Sequence, residues 1–136
     1  MGVAFDISGK TAVVTGGAGV LCAEMCRMLA GAGARVAVLD VRSEAAETLA
    51  AEIGREAVGL ACDVLVRESV ENAAQAVLAA FGRVDILING AGGNRPQATS
   101  NAEQPFFSLQ ADAMRSVFDL NLMGAILPSQ VFGRIM

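Results

Sequence analysis

Four short apolar runs, regularly spaced and separated by helix-period segments, constrain this chain more than any other feature. Thr11–Thr15, Arg35–Leu39, Ala57–Ala61 and Val84–Ile88 begin at positions 11, 35, 57 and 84, at intervals of 24, 22 and 27 residues. Each interval accommodates one strand, one helix of about three turns and two short loops, so the unit repeated is βαβ, without a repeated sequence. The runs lack polar alternation, which requires both faces of the sheet to be covered. A hydrophobic content of 54% agrees with elements buried on more than one side. The expected fold class is α/β, a doubly wound parallel sheet.

The helical segments carry their own signals. Leu21, Met25, Met28, Leu29 and Ala32 fall at i, i+4, i+7, i+8 and i+11, predicting one buried face closed by Gly31 and Gly33. Ser43 is placed to cap a second helix with Glu44 and Glu47 in its first turn, and Ala46, Leu49, Ala50 and Ile53 inward. A third runs from Arg67 to Phe81 on Val70, Ala74, Val77, Leu78 and Phe81. About twenty residues from Gly90 to Leu109 show little periodicity, and loops of that length tend to be functional or disordered. A last helical pattern starts near Asp112, with a kink expected at Pro128. The pattern is unfinished at Met136. Residues 1–136 therefore read as a single domain, cut after the fourth strand and the start of the following helices.

Composition excludes much chemistry. The net charge is −4, from 10 basic and 14 acidic residues, which argues against a nucleic-acid partner. There is no His, Tyr or Trp, and Lys10 is the only lysine. Imidazole catalysis and imidazole metal sites are thereby removed. Cys22, Cys26 and Cys62 read as buried thiols in a reducing compartment. Asp6 and the glycines at 16, 17 and 19 argue against a secretory signal, and no apolar run is long enough to span a membrane. A soluble cytoplasmic protein is expected. Arg83 and Asp85 read as members of a solvated turn.

The order strand, Gly16-Gly17-Ala18-Gly19, helix, strand, Asp40 is that of a dinucleotide-binding unit, making the fold Rossmann-like. Glycines let the backbone approach a pyrophosphate, and the helix N-terminus offers unpaired N–H groups. Asp40, 24 residues after Gly16, stands where an acid would accept ribose hydroxyls. A flavodoxin-like domain with a merely tight turn, and Asp40 as a plain strand-end acid, remain the alternatives.

Thr15-Gly16-Gly17-Ala18-Gly19, Asp63-Val64, Asn89-Gly90-Ala91-Gly92 and Asn121-Leu122-Met123-Gly124 together resemble the short-chain dehydrogenase/reductase superfamily over nearly the whole chain. The resemblance implies a cofactor set of Thr15, Gly16, Gly17, Gly19, Val20 and Leu21, with Gly16 to Leu21 around the pyrophosphate. It implies Asp63 and Val64 beside the adenine, Ala91 and Gly92 along the cofactor, and Asn89 stabilising the sheet. Asn121 matches the asparagine of an Asn-Ser-Tyr-Lys catalytic tetrad, although a helix-interior amide bonded to backbone would look the same. Val20 and Cys22 occupy positions where the family turn carries its later glycines, and Gly19 stands in for one of them. The glycine turn with Asn-Gly-Ala-Gly-Gly-Asn is similar to a subgroup of D-mannonate oxidoreductases or fructuronate reductases, which implies a sugar-acid substrate. The resemblance further implies a small-molecule substrate and, for complete members, a homo-oligomer.

The resulting expectation is an NAD(P)-dependent oxidoreductase represented by its cofactor-binding half, with a non-catalytic dinucleotide module or an inactive fragment as the other readings. Asp40 favours NAD over NADP, and Arg42 could soften that preference. Asn94 or Arg95, on the long loop, could meet a substrate carboxylate. No metal is expected. Without Tyr-x-x-x-Lys, these residues alone are expected to be catalytically inactive.

Overall fold

The computed structural model describes residues 6–54 and 57–136. Strands β1 (Thr11–Thr15), β2 (Arg35–Asp40), β3 (Ala57–Ala61) and β4 (Ile86–Asn89) form one parallel sheet in the order β3-β2-β1-β4. Val14 pairs with Val38 on one side and Ile88 on the other. The chain steps outward from β1 to β3, then returns to set β4 against β1. The carboxyl ends of β1 and β4 thus meet where the direction of winding reverses, the place at which open α/β sheets take ligands.

Alternate side chains of the central strands enter two separate cores. Val14, Val36 and Val38 pack with Cys22 and Cys26 of α1 (Val20–Gly31) and Ala46, Leu49 and Ala50 of α2 (Ser43–Ile53). Val13, Ala37 and Leu39 face the opposite way, against Val70, Ala74 and Val77 of α3 (Arg67–Phe81) and Phe132. Phe132 lies on the last helix and is the largest fully buried side chain among the described residues. Burying such an apolar group contributes about 1.5–3 kcal/mol. The doubly wound sheet explains why its strands show no alternation.

The first helix turns a different face inward from the one its periodicity predicts. Leu21 and Met28 are 70% and 75% exposed, whereas Cys22 and Cys26 are buried. The cause is close approach: the Cys22 Sγ lies 3.8 Å from the Gly90 carbonyl oxygen and the Cys26 Sγ 3.9 Å from that of Gly17. That spacing admits a small thiol and leaves no room for leucine or methionine. Ser43 is the first residue of α2 rather than its cap, and Arg42, at the cap position, makes no side-chain capping bond.

Two further expectations are corrected. Strand β4 starts two residues later than expected, and Asp85 before it is half-buried and tied into the sheet rather than free on a turn. Its carboxylate accepts the Thr11 N–H at 2.9 Å and pairs with Arg83 and Lys10. It thereby ties the entrances of β1 and β4 together. At the other end of the chain, helix α4 (Ala111–Phe118) passes through a π-helical turn, Asp119–Met123, into α5 (Gly124–Ile135). The departure from α geometry is this turn, and the α-helical run continues through the buried Pro128.

The segment between β4 and α4 is ordered by its own polar groups. Single 3-10 turns form at Pro96–Ala98 and Phe106–Ser108. The Asn94 side-chain amide donates to Thr99 Oγ1 at 2.8 Å, and Asn101 Oδ1 accepts the Glu103 and Gln104 N–H groups at 2.9 Å each. Among the described residues, no helix is long and apolar enough to cross a membrane.

Candidate cofactor site

The turn after β1 and the turn after β4 rest directly on each other. Gly16 has φ +60°, and a Cβ there would stand 2.7 Å from Ala91 Cα. Only glycine satisfies both the left-handed backbone and the contact. Beneath it, the buried Thr15 hydroxyl accepts the N–H groups of Gly90 at 3.1 Å and Ala91 at 3.2 Å. A Cβ on Gly90 would fall 2.3 Å from the Cys22 Sγ, so the helix, the first turn and the second turn form one close-packed floor.

Above this floor lies a cleft of about 500 Å³ along the carboxyl ends of the strands. Following the sheet order, its lining passes from Asp63 and Val64 after β3, through Asp40 at the end of β2, to Gly16 after β1, and then to Ala91 and Gly92 after β4. Gly19, Val20 and Leu21, where α1 begins, line it as well. The first N–H groups of a helix have no intrahelical acceptors and carry the positive end of its dipole. Gly19 takes the cap position with extended backbone, its N–H on the Gly16 carbonyl at 3.0 Å, and Val20 is 94% exposed. Thr15, Gly17 and Asn89 are not in the lining. Gly17 bonds the end of β2 through the Leu39 carbonyl at 2.9 Å, and Asn89 donates to Ser129 Oγ on α5 at 3.0 Å.

The acids at the β2 and β3 ends are differently employed. Asp63 Oδ1 accepts the Leu65 N–H at 2.9 Å, closing the turn into α3. Asp40 is 4% exposed. Its Oδ2 accepts the Ala18 N–H at 3.1 Å, and its Oδ1 accepts the Arg42 N–H at 3.0 Å and Arg42 Nε at 3.1 Å. Burial pushes this carboxyl up, but the Arg42 and Ala18 bonds outweigh it and hold the group below the usual carboxylate range.

Asn121 lies on the π turn, a device often found at functional sites. Its Oδ1 accepts the Gly93 N–H at 3.2 Å, while its Nδ2 donates to Gly93 O at 2.7 Å and Val117 O at 2.8 Å. The amide thus fastens the loop after β4 to the helix. Asn94 is occupied within its loop, its Oδ1 taking the Arg95 N–H at 2.8 Å. Arg95 is exposed and not part of the cleft wall.

Sequence reasoning missed Cys22, Val41, Cys62, Gly90 and Leu120 in the lining. Cys62 and Leu120 immediately precede Asp63 and Asn121, and Val41 follows Asp40, so adjacency to a motif residue was the available signal. Among the described residues, no group of three or more potential metal ligands comes together.

The short chain dehydrogenase family model matches residues 10–136. The uncharacterized oxidoreductase UxuB of Bacillus subtilis (strain 168) is 45% identical over 140 residues, covering 95% of this chain and 50% of that protein. The D-threitol dehydrogenase of Mycolicibacterium smegmatis is 41% identical over 135 residues, covering 97% and 49% respectively. A crystal structure from Haemophilus influenza with bound NAD, provisionally named a D-mannonate oxidoreductase, superposes with a TM-score of 0.87 at 37% identity. It covers 95% of this chain and 51% of its own. The chain spans about half the length of the curated relatives it matches.

Proposed function

This chain belongs to the short-chain dehydrogenase family, and on that premise we propose that its cleft binds a nicotinamide dinucleotide for hydride transfer between a carbonyl and an alcohol. The observation that carries the reading is the continuous cleft across all four strand ends, with the α1 N-terminus opening onto it between Asp40 and Ala91. The residues fit such a group. The unpaired N–H groups at Val20 and Leu21 suit a pyrophosphate, and the glycines at 16 and 19 leave it room. Asp63 and Val64 stand at the end suited to the adenine, Ala91 and Gly92 at the end suited to the nicotinamide. A bound nicotinamide supplies or accepts the hydride.

Thr15, Gly17 and Asn89 act from behind the wall, by holding the turns and the last strand. Asn121 positions the loop after β4 at the reactive end. Asp40, ionised at neutral pH, accepts ribose hydroxyls and repels a 2′-phosphate, so NAD is preferred over NADP. A sugar-acid substrate is the reading supported by the name of the Haemophilus relative.

Titration calorimetry of the 136-residue chain with NAD tests the cofactor site. Saturable binding that weakens in Asp40→Ala is expected; a folded chain giving no heat would refute the reading. NADH oxidation with keto-uronates should show no turnover that tracks the concentration of this chain, because these residues include no Tyr or His to protonate the alkoxide.

A further inference from the structure

The turn that carries Ala91 and Gly92 into the cleft is held from three directions. The Thr15 hydroxyl takes its N–H groups from below, and the Gly16 backbone abuts Ala91. The third support comes from α1. Cys22 lines the cleft, is 8% exposed, and donates its thiol to the Gly90 carbonyl oxygen at 3.8 Å. Among the described residues, this thiol is the one hydrogen-bond donor to that carbonyl. The same sulfur fills the space that a side chain at position 90 would need. A Cβ on Gly90 would lie 2.3 Å from Cys22 Sγ and 2.7 Å from the Thr15 carbonyl oxygen, but 3.7 Å from Cys22 Cβ. On the α1 side, then, one sulfur atom decides how near the helix and the turn can come. The Cys26 thiol makes the matching contact with the first turn, at 3.9 Å from the Gly17 carbonyl oxygen.

We propose that Cys22 is a positioning residue for the nicotinamide end of the cleft, its sulfur being the spacer that fixes the height of Ala91 and Gly92. This rests on the reading of the cleft as a dinucleotide site. The spacer acts on one end only. At the other, Asp63 is tied into the start of α3, its N–H on Ser69 Oγ at 2.9 Å and its carboxylate on the Leu65 N–H at 2.9 Å. Without the sulfur, the turn can settle toward α1, and only part of the population keeps the height at which the nicotinamide fits. Apparent affinity falls by that fraction. A ligand that lacks the nicotinamide does not depend on that height.

The experiment is calorimetric titration of the wild-type chain and its variants with NAD and with ADP-ribose, which has no nicotinamide ring. Circular dichroism confirms the fold of each variant. Cys22→Ala removes one weak hydrogen bond and its packing, so NAD should bind about fivefold more weakly. ADP-ribose should stay within about twofold of wild type. Cys22→Ser, which keeps a donor of slightly shorter reach, should lie between the two for NAD. Gly90→Ala forces a Cβ onto the sulfur and should weaken NAD by about tenfold or more. In the Cys22→Ala, Gly90→Ala double variant the sulfur is gone, and the remaining Cβ contact of 3.7 Å is ordinary. Cys22→Ala should therefore tighten NAD binding in the Gly90→Ala background, although it weakens binding in the wild type. If Gly90→Ala does not fold, the comparison of NAD with ADP-ribose in Cys22→Ala decides alone. Equal weakening of the two ligands in Cys22→Ala, unchanged NAD binding, or a double variant no tighter than a folded Gly90→Ala would each overturn the inference while leaving the site reading intact. Absence of NAD binding to the folded wild-type chain would overturn both.

Discussion

Replacing Thr15 by valine tests whether the floor of the cleft is held by a single hydroxyl. Valine has nearly the same shape, so the buried site keeps its packing and loses only the oxygen. That oxygen accepts two N–H groups, from Gly90 at 3.1 Å and Ala91 at 3.2 Å. Each neutral hydrogen bond contributes about 1 kcal/mol net, and a buried donor left without a partner costs about 1–3 kcal/mol. Gly90 and Ala91 are only half-buried, so water reaches them in part and the lower values apply. Thr15→Val should therefore lose about 2 kcal/mol, a substantial part of the roughly 5–15 kcal/mol that stabilises a domain. Thr15→Ser, which restores the acceptor, should recover most of the loss. Urea titrations followed by circular dichroism measure both, with the slope unchanged because the exposed surface is the same. A Thr15→Val midpoint within about 0.5 kcal/mol of wild type would refute the reasoning, since that is the range of an inconsequential surface change. So would a serine variant as unstable as the valine one, because packing rather than the hydroxyl would then be responsible.

Two other outcomes follow from the same geometry. Gly16→Ala combines a left-handed backbone, at φ +60°, with a Cβ 2.7 Å from Ala91 Cα. It should lose about 3 kcal/mol in a urea titration, and a loss under about 1 kcal/mol would show that the two turns separate easily. Burial pushes the Cys26 and Cys62 thiols up to about 11 from an ordinary value of 9.0. The unfolded chain then releases these protons first, so stability is full below about pH 9 and falls as pH rises toward 11. Thermal midpoints should fall more steeply across that window for wild type than for a Cys26→Ala, Cys62→Ala double variant. Parallel curves would contradict the assignment.

What the sequence disclosed depended on whether a residue's neighbours were local. The strands were legible because burial on both faces leaves uninterrupted apolar runs, and the glycine turn with Asp40 was legible because its spacing is set by one βαβ unit. The face of α1 was not. Leu21 and Met28 satisfy the helical period, but Gly90, 68 residues from Cys22, decides which side chains fit against the sheet. The π turn at Asp119–Met123 left no trace in the periodicity either, because one widened turn shifts the apolar pattern by a single position. Asp85 shows a related effect: Arg83, its local partner, was visible in the sequence, but the Thr11 N–H it also accepts is 74 residues away. Sequence patterns report the period of an element, whereas the α1 face and the role of Asp85 are decided by backbone groups far away in the chain.

The division of labour inside the cleft follows from which of its polar groups are still free. Asp40 is ionised and held below the usual carboxylate range by its Arg42 and Ala18 partners, so it accepts hydrogen bonds and gives up no proton at neutral pH. Both N–H donors of the Asn121 amide are committed, to Gly93 O and Val117 O, which leaves that side chain to position the loop rather than to protonate a substrate. Lys10 sits before the amino end of β1, beside Asp85, while the cleft opens at the carboxyl ends. Reduction of a carbonyl needs a general acid at the developing alkoxide, and its absence costs about a hundred- to ten-thousand-fold in rate. The described cleft brings glycines, the α1 N-terminus, Asp40, Arg42 and Asp63 together, a set suited to holding a dinucleotide on the proposed reading. On the proposed reading, dinucleotide binding is built from two turns, one helix end and the aspartate that closes β2.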